Sequence, residues 1–173
     1  MSTVRRLAAA GTIVVLAALA SACSSGTDAS PRTVRAPVES EVALPSQILG
    51  LKVVRENVKA NLSNVQQTYL QSVGLFSFRE GDDLLRATIQ VGRFNDVADQ
   101  DKARFRDGII GQLGATVPVK LRIDERTVYL STGSDTNIFS WFDDVGFYVL
   151  SIRSDYAFPR TLLRKLLDME LQT

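Results

Sequence analysis

Val117, Val119, Leu121 and Ile123 alternate with Lys120, Arg122 and Asp124, and Leu85, Ala87, Ile89 and Val91 alternate with Arg86, Thr88 and Gln90. A period of two predicts strands with one apolar and one polar face. Phe76 and Phe78 mark a further strand within Leu75–Arg79, and the turn Gly81-Asp82-Asp83 joins it to the strand around Ile89 as a hairpin. Asp124-Glu125-Arg126 turns the chain into Thr127–Thr132. Ile138–Phe142, the turn Asp143–Gly146 and Phe147–Arg153 make another hairpin. Gly50–Arg55, with Leu51, Val53 and Val54, fits either a short strand or the first turn of a helix.

Three stretches repeat every three to four residues instead. Val58, Leu62, Val65, Tyr69 and Val73 predict an amphipathic helix that stops at Gly74. Asp99 to Leu113 predicts a second, with Phe105, Ile109 and Leu113 as its apolar stripe, Asp96 or Asp99 as cap and Gly114 as stop. Gly108 and Gly111 weaken its propensity, which close approach to another element would explain. A third starts at Pro159 and carries Leu162, Leu163, Leu166 and Leu167. The order is helix, two strands, helix, four strands, helix. Alternating strands with short turns imply an α+β fold: an antiparallel sheet of about six strands with helices packed on one face.

The N-terminal 22 residues have a different pattern. Arg5 and Arg6 precede the apolar run Leu7–Leu19, and Ala20-Ser21-Ala22 supplies the small residues of a cleavage site. The run from Leu7 to Ala22 falls short of the ~20 apolar residues of a membrane-spanning helix. Leu19-Ala20-Ser21-Ala22-Cys23 resembles the lipobox of bacterial lipoproteins, with Ala20 where that pattern usually has leucine. The resemblance implies that Cys23 receives a diacylglyceryl group and becomes the first mature residue. Two acyl chains give stable attachment where one gives only marginal binding. Export by general secretion is expected rather than the twin-arginine route, because the residues after Arg5-Arg6 suit the latter poorly. The excess of arginine over lysine, fifteen to five, is similar to that of high-GC Gram-positive lipoproteins.

Residues 23–43 then form the lipidated cysteine and a tether rich in Ser, Thr, Pro and acidic residues, too poor in large apolar side chains to fold. Residues 44–173 are the size of one α+β domain. Loss of residues 1–22 changes the formal charge from +1 to −1, which argues against nucleic acid as a partner.

Cys23 is the only cysteine and histidine is absent. A disulfide within one chain, a Ser-His-Asp triad, a Cys-His pair and an imidazole metal ligand are all excluded. No phosphate-binding glycine loop or dinucleotide fingerprint occurs. No catalytic residue, cofactor or metal is therefore expected. Asp96, Asp99 and Asp101 lack the spacing of a calcium loop and fit a helix N-terminus. Asp82-Asp83 and Asp143-Asp144 are a candidate carboxylate pair for a glycan hydrolase, or turn residues. Lys102, Arg104 and Arg106, with Arg160, Arg164 and Lys165, suit solvated helix faces or an anionic surface. Asn61-Leu62-Ser63 matches a glycosylation acceptor by chance.

Phe139, Trp141, Phe142, Phe147 and Tyr148 are the candidate binding surface. Successive strand residues point to opposite faces, so these five cannot share one side. They form either an exposed strip for a partner or a core covered on both faces. The function expected from all this is a membrane-anchored, extracytoplasmic lipoprotein acting as a non-catalytic interaction or accessory module of the cell envelope. An envelope protein or an apolar ligand is its expected partner, besides the membrane through Cys23. A lipid-binding or carrier lipoprotein is the alternative, and a carboxylate-based wall-glycan hydrolase a more distant one.

Overall fold

The structure is a computed structural model that describes residues 43–57, 69–113 and 117–169. The expected signal segment, Cys23, the tether up to Val42, most of the first expected helix with Asn61-Leu62-Ser63, and Gly114 lie outside these residues. The strands are β1 (Gln47–Ile48), β2 (Leu51–Glu56), β3 (Leu70–Glu80), β4 (Leu84–Phe94), β5 (Val119–Ile123), β6 (Arg126–Thr132), β7 (Thr136–Phe142) and β8 (Gly146–Arg153). The described helices are α1 (Asp99–Gln112), between β4 and β5, and α2 (Pro159–Asp168), after β8.

All eight strands form one sheet in the order β1-β2-β3-β4-β8-β7-β6-β5. Every neighbouring pair is antiparallel. Two meanders, β1 to β4 and β5 to β8, are joined along β4 and β8, where Thr88 faces Ser151 and Ile89 faces Leu150. The fold is thus α+β, as the alternation predicts, with eight strands in place of about six.

The two extra strands are β1 and β2, and β2 settles the ambiguous Gly50–Arg55 stretch as strand from Leu51 onward, with Gly50 in the preceding turn. Leu49 and Gly50 connect them with φ of +52° and +79°. Two residues of positive φ between paired strands define the hairpin turn whose twist matches the strands it joins. Asp124 and Glu125 connect β5 to β6 in the same way, with φ of +46° and +70°.

The helix expected to run to Val73 is overturned in its last turn, since β3 begins at Leu70. Tyr69 and Val73 share an apolar environment four residues apart, which imitates a helical stripe, but they do so across a register shift between Leu70 and Ser72. The extra residue of a bulge offsets the strand alternation by one.

The helices do not share one face of the sheet, which corrects the expected layering. Leu162, Leu163, Leu166 and Leu167 of α2 pack with Phe76, Phe78, Ile89, Val128, Phe139, Trp141, Tyr148, Leu150 and Ile152. Phe105 and Ile109 of α1, with Leu113 just beyond it, pack with Leu70, Phe94, Phe147 and Val149. On β8 the two sets alternate, 148, 150 and 152 against 147 and 149, so they lie on opposite faces. Gly146 to Leu150 is buried without interruption. A strand covered on both sides loses its polar alternation, the feature on which the one-sided reading rested.

Pro159 opens α2 as expected, and Leu162 N donates to the Phe158 carbonyl at 3.1 Å. Each of its four buried leucines contributes about 1.5–3 kcal/mol relative to exposure. In α1 the expected Asp96 or Asp99 cap is replaced by Ala98, which makes no side-chain capping bond. Asp99 and Asp101 instead fall in the first turn, where negative charge complements the helix dipole. A side chain at Gly111 would meet open space, so close approach does not explain that glycine.

Candidate binding surface

The β7–β8 hairpin brings the five aromatic residues together but does not expose them as a strip. Trp141 and Tyr148 are opposite each other in register, and their rings stack at 5.1 Å with planes 9° apart. Both are buried, as is Phe139, on the α2 face. Phe147 is buried on the α1 face, where its ring lies 5.4 Å from that of Phe105. Phe142, half-buried, packs on the same side and meets Tyr129 edge-on at 6.4 Å. Four of the five are core, and the candidate surface built from them is corrected accordingly. Its physical reason is the one that places helices on both faces.

At the end of this hairpin Asp143 acts as a turn residue. Its Oδ1 accepts from Val145 N at 2.9 Å and Gly146 N at 2.7 Å. Burial first, then the nearby Asp143 carboxylate, raises the Tyr148 phenol well above the ordinary tyrosine range. Lys102 of α1 donates to the Asp144 carbonyl at 3.1 Å and ties the helix to this turn.

Asp82-Asp83 and Asp143-Asp144 lie at opposite ends of the sheet. The first pair sits in the turn before β4, and the second lies beyond the other end of that strand, where Phe94 N donates to the Val145 carbonyl at 2.8 Å. Eleven residues of strand place them about 35 Å apart, far beyond the ~5–9.5 Å a glycosidase pair needs. These four residues cannot act together on one glycosidic bond.

Several other charges form surface pairs. Lys102 is 3.6 Å from Asp99 and Arg104 is 3.7 Å from Asp101, both three residues apart on α1. Arg106 pairs with Asp107, and Arg164 of α2 reaches Asp124 at 3.6 Å. Glu80, Arg86, Asp155 and Arg153 form a chain across the far ends of β3, β4 and β8: Arg86 lies 2.6 Å from Glu80 and 3.5 Å from Asp155, which Arg153 grips with two nitrogens. No group of three or more carboxylate or other ligand side chains suited to a metal occurs among the described residues.

What the sequence pattern missed is at the sheet's edge. β5 ends the strand order, and its Val119 is 56% exposed, with Val117 just before it at 89%. Lys120 and Arg122 are exposed beside them. The alternation that identifies β5 as a strand carries no signal of its edge position. Comparison of the chain with protein families, curated proteins and solved structures finds no match.

Proposed function

We propose that this chain is a bacterial lipoprotein, held on the extracytoplasmic face of the cell membrane by a diacylglyceryl thioether at Cys23. Its folded domain acts there as a non-catalytic interaction module of the envelope. The observation that carries the reading is the position of the lone cysteine. It ends a short apolar run, follows small residues and precedes a polar stretch that leads to the sheet. Binding is supported over catalysis by a domain whose aromatic residues are spent on core packing and whose paired carboxylates lie at opposite ends of the sheet.

The test is Cys23→Ala in the producing cell, with membrane fractionation and labelling by an alkyne fatty acid. Loss of label and release from the membrane are expected. Retention of the variant in the membrane with an unaltered amount would overturn the anchor. Cross-linking and co-purification of the intact wild-type protein then tests the interaction role, for which a stoichiometric envelope partner is the expected result.

A further inference from the structure

We infer that the exposed edge of β5 receives residues 38–42 of a second copy of this chain as an added strand. On β5, Val119, Leu121 and Ile123 point to the α2 face and Lys120 and Arg122 to the α1 face, since Val119 faces Leu130 and Leu121 faces Val128 in register. The edge therefore offers an apolar row on one side and two positive charges on the other. Neither Lys120 nor Arg122 enters an ion pair among the described residues.

Val38-Glu39-Ser40-Glu41-Val42 has the matching alternation. Laid against β5, Glu39 and Glu41 fall opposite Arg122 and Lys120, while Val38, Ser40 and Val42 fall opposite Ile123, Leu121 and Val119. The segment is a palindrome, so the match holds with the strand in either direction. Opposite charges directly across a strand pair each add about 0.2–1 kcal/mol, and the new backbone hydrogen bonds satisfy the unpaired edge. Pairing of β5 with the β5 of another copy would oppose Lys120 to Arg122, and like charges there are repulsive.

The anchoring of the segment at the far edge points to a second copy as donor. Ser46 is fixed on β2, where its carbonyl accepts from Val53 N at 2.9 Å, and Leu44 packs against the core of the α2 face. β1 and β5 are opposite edges of a sheet of eight strands, about 34 Å apart along the sheet. The four residues from Leu44 back to Ser40 span at most ~14 Å. Donor and acceptor lie at opposite edges, so the contact closes as a reciprocal two-fold exchange or propagates head-to-tail into chains or rings. Lipid attachment is not required for it.

The test joins two differently tagged full-length copies in the same cell, one with Ser40→Cys and one with Leu121→Cys. Oxidation should give a disulfide between the tags that either single variant with wild type does not give. Lys120→Glu with Arg122→Glu in the acceptor should lower its yield about ten-fold, and Glu39→Lys with Glu41→Lys in the donor should restore it. That recovery separates lost pairing from lost folding. A disulfide that forms within a chain carrying both cysteines and never between tags overturns the second copy as donor. So does an adduct of Leu121→Cys with a different protein alone, or a yield indifferent to the charge reversals.

Discussion

Gly92 and Phe147 face each other across β4 and β8, and the phenyl ring of Phe147 occupies the space that a side chain at position 92 would need. The ring lies over the glycine and reaches Phe105 and, at 6.4 Å between ring centres, Phe94. Gly92→Ala must push it away from both. A loss of about 1–3 kcal/mol is expected from such overpacking. Urea unfolding should show a lower midpoint with an unchanged slope, and Phe147→Leu in the same background should return part of the loss. A Gly92→Ala chain as stable as wild type would refute this packing.

Tyr148 ties stability to alkaline pH. Its phenol is raised by burial and by Asp143, so the folded state holds the proton after the unfolded chain has released it. The contribution is fully present below the unfolded value near pH 10 and is lost as pH rises beyond it. Trp141, the only tryptophan, is stacked on this ring and reports the event. Phenolate absorbance of Tyr148 is expected to appear together with a red shift of tryptophan emission. Four tyrosines ionising near pH 10 with unchanged emission would contradict it.

Acid should weaken the β2–β3 pair. Ser77 Oγ donates to Glu56 Oε1 at 2.5 Å and Arg79 Nη2 donates to the same oxygen at 3.1 Å, and these two bonds hold the Glu56 carboxyl below its ordinary 4.5. A depressed carboxyl stabilises above its unfolded value and loses that contribution as pH falls through the folded one. Both partners are partly exposed, so the effect is small. Glu56→Gln should melt below wild type at neutral pH, with the two curves converging as pH drops under 4.5. A gap that is constant with pH would exclude the mechanism.

The β1–β2 turn has room for improvement. Leu49 sits at a φ of +52° and is 47% exposed, so it bears left-handed strain without being buried in return. Asparagine tolerates that conformation, and Asn-Gly is the preferred pair for this turn. Leu49→Asn should raise stability by about 1 kcal/mol, read as a higher thermal midpoint. A lower midpoint would mean that the leucine makes a contact worth more than the strain.

Local chemistry made much of the fold legible. The turns at Gly81–Asp83, Asp124-Glu125 and Asp143–Val145 stand where acidic and glycine residues interrupt alternation, and Pro159 marks the start of α2. Layering was harder to read, because Phe147 and Val149 are buried by α1 while Tyr148 and Leu150 are buried by α2, and a doubly covered strand has no polar residues to betray its sides. Leu70 to Gly74 escaped for another reason: a register shift between Leu70 and Ser72 gave Tyr69 and Val73 the spacing of a helix. Among the site residues, strand alternation puts Phe139 and Trp141 on one face and Phe142 on the other, yet which layer covers Phe139 and Trp141 is decided by leucines of α2 that follow later in the chain. Edge position is a property of the whole strand order, so nothing within Val119–Ile123 announces it.

The seam between the meanders also sets a clock. β4 is made early, but its neighbour β8 follows roughly sixty residues behind it, so the central hydrogen bonds depend on closing a long loop. Until Phe147–Ile152 arrives, the middle of the finished sheet is a bare edge carrying Ala87, Ile89 and Val91. Assembly is therefore a late event that needs nearly the whole chain, and an interrupted chain leaves its stickiest strand uncovered.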